Sequence, residues 1–151
     1  MDKQLAAARN PANVVTVLSV SPLAEDYFSL QAAFKHTEWA LYQADGLASA
    51  LAVIHRRTIA VIICERNLSP GTWIELLEEL RPLRNAPALI VTSRLADERL
   101  WAEALNLGAY DVLAKPFERR ELVRSVSLAW QQWHQRQNPT AMLAQAMRAA
   151  S

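Results

Sequence analysis

The sequence predicts a doubly wound α/β domain, a parallel sheet with helices on both faces. Three observations carry that expectation. Short apolar runs rich in β-branched residues alternate five times with segments of helical periodicity, and the connections between them are short. Ile59 to Cys64 is continuously apolar, as a strand covered on both faces must be. Gly108 follows an apolar-periodic segment directly, where a left-handed residue ends a helix.

Asn13 to Leu18 is a β-branched run that reads as the first strand, ended by Ser19, Val20, Ser21 and Pro22. Residues 23–35 place Leu23, Tyr27, Leu30, Ala33 and Phe34 at helical spacing, with Ser21 or its neighbour as cap. Glu38 to Gln43 is a weaker strand, and Gly46 to Arg56 an Ala- and Leu-rich helix. After the Ile59–Cys64 strand, Pro70 and Gly71 open a segment whose helix runs from Trp73 to Leu83. Ala88 to Val91 is the fourth strand, Asp97 to Leu107 a helix, Tyr110 to Ala114 the fifth strand, and Glu118 to Trp133 the last helix. Residues 1–12 form an N-terminal extension, 13–134 the domain, and 135–151 a tail with room for a short helix after Asn138-Pro139.

The composition narrows the function. Hydrophobic residues make up 52% and charged residues 21% of the 151, which suits one well-cored domain rather than a disordered chain. The net charge of +1 gives no electrostatic argument for nucleic acid. Cys64 is the single cysteine, so neither an intrachain disulfide nor a cysteine zinc cage can form, and it reads as a small buried hydrophobe. His36, His55 and His134 are scattered without metal-ligand spacing. No apolar run approaches the roughly 20 residues of a membrane span, and no signal-peptide core is present, which points to a reduced, cytoplasmic compartment. The three glycines lie far apart, so there is no glycine-rich phosphate loop.

In open α/β sheets chemistry sits at the carboxyl ends of the strands. Those positions are Ser19–Ser21, Cys64–Asn67, Thr92–Ser93 and Lys115–Pro116. Here the chain resembles the receiver domain of two-component response regulators. Gly108-Ala-Tyr-Asp-Val-Leu-Ala-Lys-Pro-Phe117 is similar to the family's segment around strand five, Thr92-Ser93 to its hydroxyl residue after strand four, and Leu68 to Leu77 to the loop and helix after its phosphorylation site. The resemblance covers about residues 13 to 133. It implies a flavodoxin-like (βα)5 sandwich with strand order 2-1-3-4-5 and a cis peptide before Pro116. It also implies a strand-three aspartate that accepts phosphate, two acids after strand one that hold Mg²⁺, and a Thr/Ser and a Lys that contact the phosphoryl oxygens. A phosphoryl transfer of this kind needs a carboxylate nucleophile and a hard cation with oxygen ligands.

The sequence departs from that pattern. The positions after strand one are Ser19, Val20 and Ser21, none acidic, so Mg²⁺ binding is expected to be weak or absent and no cofactor is implied. Glu65 stands at the phosphoacceptor position, one methylene longer than aspartate, a displacement costly to reaction. Val112 stands where the family often has a switching aromatic. Thr92, Lys115 and Pro116 remain as the phosphate-sensing half. Glu65 reads two ways: paired with Lys115 and Thr92 in imitation of the phosphorylated state, or solvated at a strand end beside Arg66. Lys115 reads as a site residue or a turn lysine, and Thr92 as a partner of Glu65 or a local cap. Glu25 and Asp26 fall within the first helix and are not taken as replacements for the missing acids. Trp101, Trp130 and Trp133 either line an interaction face or pack the domain, and Met142, Leu143 and Met147 either cover it or dock a partner helix.

The expectation is a stand-alone, non-enzymatic receiver-like protein that acts through protein–protein contacts without phosphorylation. Its partners would be a histidine kinase or a downstream signalling protein, with a homodimer through helix four, strand five and helix five, and neither nucleic acid nor membrane. The alternatives are a conventional phosphorelay receiver with unusual acceptor chemistry, and a small-ligand-binding or enzymatic flavodoxin-like domain.

Overall fold

A computed structural model describes residues 14–137 and 146–150. Five strands alternate with five helices: β1 (Thr16–Val20), α1 (Ala24–Ala33), β2 (Ala40–Ala44), α2 (Leu47–Arg56), β3 (Val61–Glu65), α3 (Trp73–Leu80), β4 (Ala88–Ser93), α4 (Glu98–Leu107), β5 (Asp111–Ala114) and α5 (Arg119–Gln137). All strand pairs are parallel and the order is β2-β1-β3-β4-β5. This is the doubly wound sheet that the element order predicts, in the flavodoxin-like strand order that the resemblance implies.

Strand alternation divides the core into two layers. Leu18, Val20, Ile62, Cys64, Leu89 and Val91 face α2, α3 and α4, which contribute Ala50, Trp73, Leu76, Leu80, Leu100 and Ala104. Val17, Val61, Ile63, Ile90 and Leu113 face α1 and α5, which contribute Leu30, Leu122, Val126, Ala129 and Trp133. Both faces are covered, so β3 tolerates no polar residue before Glu65.

The carboxyl ends of three strands lie beyond the sequence expectation. β1 runs through Ser19 and Val20, β3 through Glu65 and β4 through Thr92 and Ser93. Polar residues at these ends read locally as turns, but parallel pairing continues through them: Val20 lies beside Ala44 and Cys64, and Glu65 beside Thr92. α3 stops at Leu80 rather than Leu83: Arg81 keeps helical dihedrals and still bonds back to Leu77, but Pro82 has no N–H to extend the helix. α4 starts at Glu98, one residue after the expected Asp97, whose side chain instead caps it by accepting from the Leu100 backbone N–H at 2.9 Å; Gly108 ends it as expected, at φ 109°. The Lys115–Pro116 peptide is cis, and so is Ser69–Pro70. The N-terminal extension, Met142 and Leu143 lie outside the described residues; 146–150 are helical and exposed, with Met147 among them.

Candidate functional site

Sheet register brings three strand ends together. Glu65 ends β3 next to Thr92 of β4, Ser93 is next to Ala114 of β5, and Lys115 follows immediately. The Lys115 backbone N–H donates to the Ser93 carbonyl at 3.0 Å, which aims its side chain back over the ends of β3 and β4. There its ammonium meets two carboxylates at once, Glu65 Oε1 at 2.9 Å and Asp26 Oδ2 at 2.8 Å. All three side chains are almost closed to solvent, at 6% exposed for Lys115, 10% for Glu65 and 8% for Asp26.

The rest of the site holds those carboxylates in place. Ser21 Oγ donates to Asp26 Oδ2 at 2.7 Å and accepts from the Leu23 backbone N–H at 3.0 Å. It braces the chain entering α1 without being its cap: the N-cap is Leu23, which has no side-chain bond. The second oxygen of Glu65, Oε2, accepts from the Asn67 backbone N–H. Thr92, though beside Glu65 in the sheet, turns its hydroxyl to another acceptor. Its Oγ1 reaches the Cys64 carbonyl at 3.4 Å, so of the two partners expected for Glu65 only Lys115 is in place.

Burial pulls the pKa of the Lys115 ammonium down, but the hydrogen bonds and charges of Asp26 and Glu65 together outweigh it and hold the group above the ordinary lysine value. Burial, reinforced by the charge of Glu65, pushes the neighbouring Cys64 thiol far above its usual range, which suits a packed hydrophobe rather than a reactive thiol.

Asp26 is the residue that the sequence reading set aside, and it lies at the centre of the site. An acid in a first helical turn ordinarily faces water and the helix dipole. This one is only 6% exposed. Its spacing from buried Leu30 and Phe34 is four and eight residues, which places it on the inward face of α1. Glu25, one residue earlier, points outward and pairs with Arg94 at 3.1 Å on the exposed side.

The positions after strand one divide. Ser19 and Val20 are buried within β1, and only Ser21 takes part in the site. Val112 is 8% exposed in the α2–α4 layer and carries no ring that could rotate. The three tryptophans share no common face. Trp133 is buried against α1 and the sheet, its Nε1 donating to the Asn85 carbonyl at 3.4 Å. Trp130 is half-buried and stacked on His134 at 4.8 Å. Only Trp101, 52% exposed on α4, is free to meet another molecule. A groove of about 310 Å³ lined by Leu77, Pro87, Leu89, Tyr110 and Arg136 lies at the opposite end of the sheet, away from the strand ends where ligands of this fold class bind.

The family model for the response regulator receiver domain matches residues 25–127. The chain belongs to this family. The regulatory protein VirG of Agrobacterium fabrum is 30% identical over 77 residues, which are 51% of this chain and only 30% of VirG. The signal receiver domain of an HD domain-containing protein from Pseudomonas fluorescens Pf-5 is similar at a TM-score of 0.73 and 23% identity, over 81% of this chain and 98% of that one. The chemotaxis response regulator CheY4 of Vibrio cholerae is similar at 0.69 and 18%, over 78% and 99%. The chain is thus a receiver domain of two-component signalling, and no helix among its described residues is long and apolar enough to cross a membrane.

The Mg²⁺ that this family implies does not fit these residues. Mg²⁺ demands oxygen ligands at ~2.0–2.1 Å in near-octahedral geometry. The two carboxylates present each direct an oxygen at Lys115, and the strand-one end offers a serine bonded to Asp26. Among the described residues no three acids, histidines or cysteines are grouped as a metal site would require.

Proposed function

We propose that this receiver domain signals without phosphorylation, held in one state by Glu65, and passes that state on through protein contacts. The observation that supports this reading is the salt bridge from Glu65 Oε1 to Lys115 Nζ at 2.9 Å. In the receiver scheme the strand-five lysine pairs with an added phosphoryl group. Here a carboxylate borne by a longer side chain supplies permanent negative charge to the same ammonium. With both ends of the interaction built into the chain, no donor, metal or phosphatase is needed to set it.

The output surface is the α4–β5–α5 face, its occupant is a second copy or a downstream signalling protein, and α4 carries the exposed Trp101. A histidine kinase that docks without transferring phosphate is compatible with the same surface chemistry.

Two measurements test the reading. Incubation with Mg²⁺ and acetyl phosphate is expected to leave the intact mass unchanged; a stoichiometric gain of one phosphoryl group returns the chain to conventional phosphorelay chemistry on an unusual acceptor. Glu65→Gln keeps the shape and removes the charge. It is expected to weaken self-association or partner binding roughly 5–150-fold, the usual span of a coupling between two sites. Unchanged association in sedimentation velocity across the concentration range would make Glu65 a bystander.

A further inference from the structure

We propose that the Lys115 ammonium is the resident cation of the acidic pocket, so that this receiver domain takes no divalent metal until that lysine is removed. The inference uses the geometry of the site and not the phosphate-mimic reading of Glu65, and the two fail in different experiments.

Two carboxylates from distant parts of the chain, Asp26 on α1 and Glu65 on β3, are both nearly buried. Two like charges so enclosed need a cation between them, or one must take up a proton. Lys115 Nζ sits within 2.8 and 2.9 Å of one oxygen from each and meets that need. The oxygens are further committed: Asp26 Oδ2 also takes the Ser21 hydroxyl, and Glu65 Oε2 takes the Asn67 backbone N–H. A divalent ion bridging Asp26 and Glu65 would have to displace the ammonium, and the displaced charge is tethered by the Lys115 backbone bond to Ser93. Two cations would then share one small, poorly solvated volume, where repulsion is far stronger than in water.

Removing the ammonium inverts the situation. Lys115→Met keeps the stem volume and leaves two facing carboxylates with a serine hydroxyl beside them, an all-oxygen set suited to a hard cation. The variant's site is therefore expected to be created by the substitution itself.

The test is a titration with Mn²⁺, chosen for its paramagnetic effect on water-proton relaxation. The wild-type chain is expected to show no saturable site. Lys115→Met is expected to gain one ion per chain, at least about tenfold tighter than anything in the wild type, a difference of ~1.4 kcal/mol. Adding Asp26→Asn to Lys115→Met is expected to abolish that gain. A saturable wild-type site that Asp26→Asn removes would overturn the inference, as would a folded Lys115→Met chain with no gained site. Where circular dichroism shows Lys115→Met unfolded without metal, Lys115→Gln replaces it, and refolding of either variant by Mn²⁺ but not by equal ionic strength is the expected sign. Refolding by neither would overturn it. Failure of the phosphorylation-independent reading shows instead as covalent phosphate in the mass spectrum.

Discussion

Lys115→Met is expected to lower the unfolding free energy by about 3–5 kcal/mol in metal-free buffer, the range seen when one partner of a buried ion pair is removed. The reason is the burial of the two acids. Asp26 is 6% and Glu65 8% exposed, so neither recovers its hydration when the ammonium is lost. Asp26→Asn is expected to cost less, about 1–3 kcal/mol, since Lys115 keeps Glu65 and the Ser21 hydroxyl still has an acceptor. The double variant is expected to lose less than the sum of the singles, because Lys115→Met leaves Asp26 and Glu65 facing each other as like charges and the added Asp26→Asn removes that repulsion. Urea denaturation of the four chains closes this cycle. The pH dependence follows from the raised folded-state pKa of Lys115. Its contribution is complete below the unfolded lysine value of ~10.4 and disappears as pH rises through the higher folded value, so wild-type stability is expected to fall on the alkaline side while Lys115→Met shows no such loss. A cost within ~0.5 kcal/mol for Lys115→Met would mean that water reaches both acids.

The layered fold was legible because its signals are local. The unbroken apolar run ending at Cys64 requires cover on both faces, and Gly108 marks the end of α4 by its own backbone chemistry. The strand ends were less legible. Ser19, Glu65, Thr92 and Ser93 are polar residues carried inside a sheet by neighbours that no local window contains. Asp26 was the main omission. Its partner lies 89 residues away, and the only trace in the sequence is the four-residue spacing to Leu30 and Phe34, which a search for apolar periodicity skips because the first member is charged. The same physics explains why three hydroxyl or apolar residues after strand one gave a misleading picture. The chain retains an acid in the pocket, delivered one helical turn later and bonded to the lysine instead of to a metal.

Trp133→Ala is expected to cost about 3–5 kcal/mol and Trp101→Ala almost nothing, although the sequence groups the two as interface candidates. Trp133 is 7% exposed and packs with Val126 and Ala129 of α5 against the α1 side of the sheet, and its indole N–H donates to the Asn85 carbonyl. Truncation leaves a cavity and an unmet acceptor. Trp101 is 52% exposed on α4, whose inward anchors are Leu100 and Ala104, so its removal changes little inside the domain. Thermal unfolding separates the two variants, and sedimentation then reads what stability does not. If the α4–β5–α5 face carries the output, Trp101→Ala weakens association at unchanged melting temperature. Trp133→Ala weakens it only to the extent that the domain itself unfolds. A large stability loss at Trp101 would instead mean that α4 leans on that ring, and the exposed part of the face would have to be sought elsewhere on the helix.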